Sequence, residues 1–164
     1  YGCGLRVSEL VELRLRDVFA DDAVIRVVGK GDKERLVPIH DAALRAVARY
    51  RTTERCHIEP QRGFEDHVFL NRNGRKISRQ WVFLRLKDWA QQAGITKVIG
   101  PHTLRHTFAT HLLQNGVDLR FIQVMMGHSS ITNTEIYAHL EGRQLRETML
   151  RYHPRNVDRP RSGT

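Results

Sequence analysis

Six side chains along this 164-residue sequence are of types that can work together on phosphorus: Arg6, Lys30, His102, Arg105, His128 and Tyr137. Arginine forks match phosphate oxygens two at a time. Histidine moves protons near neutral pH, and tyrosine can be a covalent nucleophile. As a set they suit the displacement of an oxygen at a phosphodiester without a metal ion. His102 and Arg105 are three residues apart, so a helix sets them side by side on one face. Arg6 and Glu9 share that spacing, and a carboxylate there would hold the guanidinium and limit like-charge repulsion in a cationic pocket. An ordinary surface ion pair has the same spacing.

His102 and His106 are four apart, as zinc ligands on a helix are. The Glu of a His-Glu-x-x-His motif is absent, however, and the neighbouring Arg105 disfavours a cation, so no metal site is expected. His106 reads as a buried, hydrogen-bonded helix residue, and His40, His57, His67, His111, His139 and His153 read the same way. Tyr137 stands out through its company, with Gly127-His128 nine residues before it, whereas Tyr1, Tyr50 and Tyr152 lack such neighbours.

The elements that must position these groups are legible in outline. Val7, Leu10, Val11 and Leu13 give a short amphipathic helix. The β-branched run Ala23 to Val28 predicts a strand, Gly29-Lys30-Gly31-Asp32 a turn, and Lys33 to Ile39 a returning strand. Pro38 argues for an edge position there, and Lys30 falls at the hairpin tip. Asp41 is the expected N-cap of a helix over 42–54 with Leu44, Val47 and Ala48 on one face. A loop over 55–66 leads to a short apolar run, His67 to Leu70, read as a third strand, and a turn at Asn71-Arg72-Asn73-Gly74.

Ser78 should cap the next helix, with Val82, Leu86, Trp89, Ala90 and Ala93 on its apolar stripe and Gly94 closing it. Helices over 102–115, 119–126 (between Asp118 and Gly127), 133–138 and 141–151 follow, then an Arg/Pro/Gly-rich tail over 154–164 expected to be disordered. The fold class is therefore mainly α with a small antiparallel β-sheet (α+β).

Charge points the same way as the chemistry. Lys and Arg number 27 against 18 Asp and Glu, a formal +9, and counterion release favours a polyanion partner for such a surface. A merely soluble basic surface would carry the same surplus. Arg72, Arg75, Lys76 and Arg79 cluster at a turn and helix start, suited to phosphate contact or to simple solvation. Two cysteines exclude a disulfide framework, no apolar run is long enough to span a membrane, and no signal peptide is visible, so a reducing, cytoplasmic setting is expected. The sequence lacks an initiator Met and reads as a fragment.

Four runs together resemble a known family. Gly4-Leu5-Arg6-Val7-Ser8-Glu9-Leu10, Gly29-Lys30-Gly31-Asp32-Lys33-Glu34-Arg35, Pro101-His102-Thr103-Leu104-Arg105-His106-Thr107-Phe108-Ala109-Thr110 and Met126-Gly127-His128-Ser129-Ser130 to Tyr137 occur in the order and at the spacings of the tyrosine recombinases. The wording is most like the Xer-type and integron/phage integrase catalytic domain, over residues 1 to about 153. The resemblance implies that fold, and strand cleavage and rejoining on double-stranded DNA without a cofactor.

It assigns Arg6 and Arg105 to the scissile phosphate, Lys30 to protonation of the leaving 5′-oxygen, and His102 to the tyrosine proton. His128 would donate to a phosphate oxygen, Tyr137 would attack, and Glu9 would support the pocket. Lys33 is the alternative acid and a further DNA contact. Asn133 stands where Ser or Thr is usual and Met125-Met126 where Leu-Leu is usual, both mild departures.

The family's amino-terminal DNA-binding domain is absent from the sequence, so weak DNA binding and slow reaction are expected of it alone. A tetramer on DNA is implied, with the final helix (Leu145, Thr148, Met149 and Tyr152 on one stripe) docking on a neighbouring protomer or on its own core. Relaxation of DNA in the manner of a type IB topoisomerase, and a non-catalytic DNA-binding remnant, are the competing expectations.

Overall fold

The computed structural model describes residues 1–29, 31–32, 34–127 and 151. Helix α1 (Val7–Glu12) leads through a 3₁₀ turn (Leu15–Asp17) into three strands, β1 (Val18–Phe19), β2 (Val24–Val28) and β3 (Glu34–Pro38). Helix α2 (Asp41–Thr53), a second 3₁₀ turn (Arg55–His57), α3 (Arg79–Gln92), α4 (Pro101–Gln114) and α5 (Leu119–Met126) follow. The architecture is helix-rich with one small antiparallel sheet of order β1-β2-β3, as the sequence pattern predicts. The predicted helices at 133–138 and 141–151 (Arg151, helical, apart) and the tail at 154–164 lie outside the described residues. Among the described residues no helix is long and apolar enough to cross a membrane.

The sheet sorts its side chains by face. Ile25 pairs with Val37 and Val27 with Arg35, and directly opposed residues of an antiparallel pair share a face. Ile25, Val27, Val37 and Arg35 are all buried, so one guanidinium takes a place on the core-facing side. β3 is an edge strand, as Pro38 suggests. The expected strand over His67–Leu70 is not one: Arg14 bridges His67 and Leu70 bridges Lys76 singly, without a ladder. The third strand is instead β1, two residues long and invisible to any periodicity.

The core joins this sheet face to α4 and α5. Ile25, Val37, Phe108, Leu112, Ile122 and Met125 belong to one buried cluster. Its anchor on α4 is the 3–4 spacing of Arg105, Phe108 and Leu112, which turns those three inward. The same rotation puts His102 and His106 outside. Helix α5 starts where predicted, with Asp118 accepting from the Arg120 amide at 2.6 Å, and ends at Gly127, whose φ of +62° is the left-handed C-cap.

Three expectations for the outer helices change. The cap of α2 is His40, whose Nδ1 accepts from the Ala42 amide at 3.0 Å, while Asp41 sits inside the first turn. Its core-facing residues are Ala43, Leu44 and Val47, with Ala48 exposed. Ser78 caps α3 as expected, accepting from the Trp81 amide at 3.0 Å. Only Val82 of its predicted stripe is buried, however. Leu86 is half-buried, and Trp89 and Ala93 are exposed. The stripe borders an apolar groove of about 470 Å³ between α1, α3 and α4.

Candidate active site

The site is built around one buried carboxylate. Arg6 is the residue before α1, and Glu9 lies three further on in its first turn. Glu9 reaches back to accept from the Arg6 backbone N–H at 2.8 Å, which satisfies an amide that the helix itself leaves without a partner. Its other oxygen accepts from the Arg6 guanidinium at 2.9 Å. Glu9 is buried, so the predicted pair is no ordinary surface ion pair.

Two more guanidiniums converge on the same group. Arg35 grips both oxygens of Glu9, at 2.8 and 2.9 Å. Arg105 approaches within 3.8 Å and donates to the carbonyl of Gly4 at 2.6 Å. Both arginines are buried, at 6 and 9% exposure, whereas the Arg6 side chain keeps 37% of its surface. Three positive charges around one negative leave the cluster with two in excess.

All three arginines also bind the end of α5. Arg35 donates to the carbonyl of Met125 at 2.9 Å, Arg105 to that of Met126, and Arg6 to that of Gly127 at 3.0 Å. The last carbonyls of a helix lack intrahelical partners and carry the negative end of its dipole. Three cations, from the residue before α1, from β3 and from α4, thus cap successive carbonyls and fix the chain one residue before His128.

The electrostatics suit an anion. Burial first, then the like charge of Arg6, push the Arg105 guanidinium down to about 10, with Glu9 pulling the other way. It remains charged at neutral pH, and an arriving anion would relieve its repulsion from Arg6. Burial by itself would raise Glu9, but its bonds to Arg35 and Arg6 and the charge of Arg35 outweigh that, so its pKa is lowered and it stays ionised. Such a cluster favours a singly charged phosphodiester, and more so the doubly charged transition state of attack at phosphorus.

Of the sequence-predicted residues, Arg6, Glu9 and Arg105 are brought together. His102 is exposed on the first turn of α4, one turn before Arg105. Lys30 and Lys33, in the connection between β2 and β3, lie outside the described residues, as do His128 and Tyr137.

Arg72, Arg75 and Arg79 are exposed, with the Arg75 Nε donating to Gln61 at 2.6 Å. Lys76 is half-buried and paired with Glu12. His40 and His67 are buried and His111 half-buried, its Nδ1 2.6 Å from the Tyr1 hydroxyl. His106 and His57 are exposed instead, and His139 and His153 fall outside the described residues. Arg35 is the site residue that sequence reading missed. The available signal was a charged residue in register with Val37 on the apolar face of a strand.

Comparison with known proteins gives consistent relatives. The Phage integrase family model matches residues 1–143. The tyrosine recombinase XerD of Halalkalibacterium halodurans is 44% identical over 155 residues, covering 94% of this chain and 52% of that protein. That of Bifidobacterium longum is 44% identical over 159 residues, with the same coverage.

Among solved structures, XerA recombinase superposes with a TM-score of 0.71 at 37% identity, covering 93% of this chain and 54% of that one. XerH site-specific recombinase bound to difH substrate in a pre-cleavage complex gives 0.69 at 28% identity, covering 85% and 40%. The chain spans about half the length of the curated relatives it matches.

Proposed function

The chain belongs to the phage integrase family, and from that premise we propose that residues 1–153 are the catalytic domain of a site-specific DNA recombinase. It cleaves and rejoins double-stranded DNA through a covalent 3′-phosphotyrosyl link. The observation that carries this reading is the convergence of Arg6 and Arg105 on Glu9, beside the carbonyl of Gly127. Two guanidiniums gathered around one carboxylate, Arg6 bonded to it and Arg105 held beside it by the carbonyls of Gly4 and Met126, form a clamp for a phosphate, and the next residue along the chain is His128.

In this reading Arg6 and Arg105 hold the non-bridging oxygens of the scissile phosphate, and His128 donates a third hydrogen bond. The Tyr137 oxygen forms a bond to phosphorus as the bond to the 5′-oxygen breaks. The phenolic proton passes to His102, and Lys30 protonates the departing oxygen. The new ester keeps the energy of the old one, so a 5′-hydroxyl from another strand reverses the step without ATP or a cofactor. Rejoining to a new partner is strand exchange, carried out by protomers assembled as a tetramer on DNA in the cytoplasm. Arg72, Arg75, Lys76, Arg79 and Lys33 contribute contacts to the phosphate backbone.

The test is capture of the adduct on a nicked duplex, whose cleavage releases a short strand that cannot religate, with EDTA present throughout. Wild-type protein should become covalently attached to DNA and Tyr137→Phe should not. An adduct that survives Tyr137→Phe would move the nucleophile elsewhere.

A further inference from the structure

The reading above leaves Arg35 without a task, although it is the most completely buried of the three arginines. Its position answers a question that the clamp poses. A buried carboxylate beside Arg105 ought to capture that guanidinium in a two-pronged ion pair, the strongest geometry open to both. It does not. The nearest approach is 3.8 Å, beyond hydrogen-bond distance.

The acceptor capacity of Glu9 explains why. A carboxylate offers about four lone-pair sites. One oxygen accepts from the guanidiniums of Arg6 and Arg35, at 2.9 and 2.8 Å. The other accepts from the Arg6 backbone N–H and from Arg35, at 2.8 and 2.9 Å. Nothing remains for Arg105, which turns to the carbonyls of Gly4 and Met126. Those two bonds engage only part of its five-donor fork.

We propose that Arg35 is a positioning residue: by saturating Glu9 it denies that carboxylate to Arg105, whose remaining N–H groups are left for the phosphate. Arg35 is also the source of half the cluster's excess charge, since without it three cations against one anion become two. The slot is shaped for it. A Cβ on Gly127 would meet its guanidinium carbon at 3.0 Å, and its Nε is fixed by the carbonyl of Met125. Lysine cannot substitute, because a single ammonium lacks the planar fork that covers both oxygens.

This inference rests on Arg105 being part of the phosphate clamp. Its test uses the full chain in EDTA with a pool of nicked duplexes of randomised sequence. The duplex captured by the wild type then serves every variant. Adduct formation is timed at saturating DNA, well below each variant's melting temperature, so that only folded protein is compared. Arg35→Met should slow the first-order step by about a hundredfold, the scale of a misplaced catalytic group.

Adding Glu9→Gln to Arg35→Met should recover part of that rate, because a neutral amide no longer traps Arg105. If Arg35 merely anchored α5 through Met125, the second substitution would recover nothing, and that result would overturn the proposal. An unaltered rate in Arg35→Met would overturn it equally. Should Arg35→Met not fold, Arg35→Lys carries the same comparison: slower than wild type, and faster again with Glu9→Gln. Absence of any wild-type adduct would instead sink the recombinase reading, and this inference with it.

Discussion

Glu9 gathers three arginines from three different parts of the chain, and its substitution has two separable consequences. Removing its charge leaves three neighbouring guanidiniums without a counterion, and breaking a buried pair from one side costs about 3–5 kcal/mol. Glu9→Gln should therefore lower the melting temperature on the order of 10 °C for a chain of this size. The pH dependence follows from the direction of the shift. The folded-state pKa of Glu9 is lowered, so on acidification the unfolded chain takes up this proton first. The stabilisation is complete above the unfolded value of about 4.3 and is lost as the pH falls through the folded one. Melting curves from pH 7 downward should show the wild type dropping below about pH 4.3, and Glu9→Gln starting lower but falling less steeply. Glu12, lowered mainly through Lys76 against the opposing effect of burial, keeps some slope in both. An identical slope in the two proteins would place the acid-labile charge elsewhere. At this scale the sequence revealed types and spacings: Arg6, Glu9 and Arg105 could be picked out because i,i+3 pairs and a charged helix face are local features. Arg35 could not, because its role depends on which face of β3 it occupies and on acceptors 26 and 90 residues away in the chain. The exposed His106 was misread for a related reason: burial on α4 is set by how Arg105 and Phe108 turn the helix.

Among the elements, the two ends of the site are closed by glycines that must stay glycines. Gly4 has φ +60°, and a Cβ there would lie 2.4 Å from the buried ring of Phe108; its carbonyl is also the acceptor that holds Arg105. Gly127 has φ +62°, with the Arg35 guanidinium 3.0 Å from a virtual Cβ. The left-handed conformation alone costs a non-glycine residue about 1–2 kcal/mol. At Gly4 an overpacking cost of about 1–3 kcal/mol against a fully buried aromatic adds to it. Gly4→Ala should thus destabilise more than Gly127→Ala in a denaturant titration, with both midpoints lowered. The reverse order would mean that the Arg35 slot, and not the Phe108 contact, is the stiffer of the two. Helix starts were legible from sequence where a common capping residue does the capping, as at Ser78 and Asp118. The start of α2 was not, because His40 is an uncommon cap and Asp41 a common one. The two-residue β1 and the isolated bridges of His67 and Leu70 are decided by tertiary pairing, which leaves no periodic trace in so short a run. The unburied part of α3 belongs with these cases: a stripe of apolar residues announces a face without announcing what, if anything, covers it.

For the molecule as a whole, the +9 surplus becomes informative only once the structure shows which cations are already committed. Arg35 is spent on Glu9, Arg26 is bound to Asp17 at 2.6 Å, and Lys76 is paired with Glu12. Arg72 and Arg79 stand exposed at the turn before α3 and at its first residue. If this edge tracks the phosphate backbone, each such cation releases counterions on binding, and the logarithm of affinity falls with the logarithm of salt by about 0.9 per phosphate neutralised. Arg72→Ala and Arg79→Ala should each weaken binding to duplex DNA of any sequence and flatten that slope by roughly one. Lys76→Ala should change the slope far less, because its charge is already offset by Glu12 and neutralises no phosphate. Fluorescence anisotropy across a salt series measures all three slopes. Equal flattening by Lys76→Ala and Arg72→Ala would mean that the Glu12 pair opens on DNA. Unchanged slopes in Arg72→Ala and Arg79→Ala would remove this edge from the DNA path and leave the arginine cluster around Glu9 as the principal cationic contact.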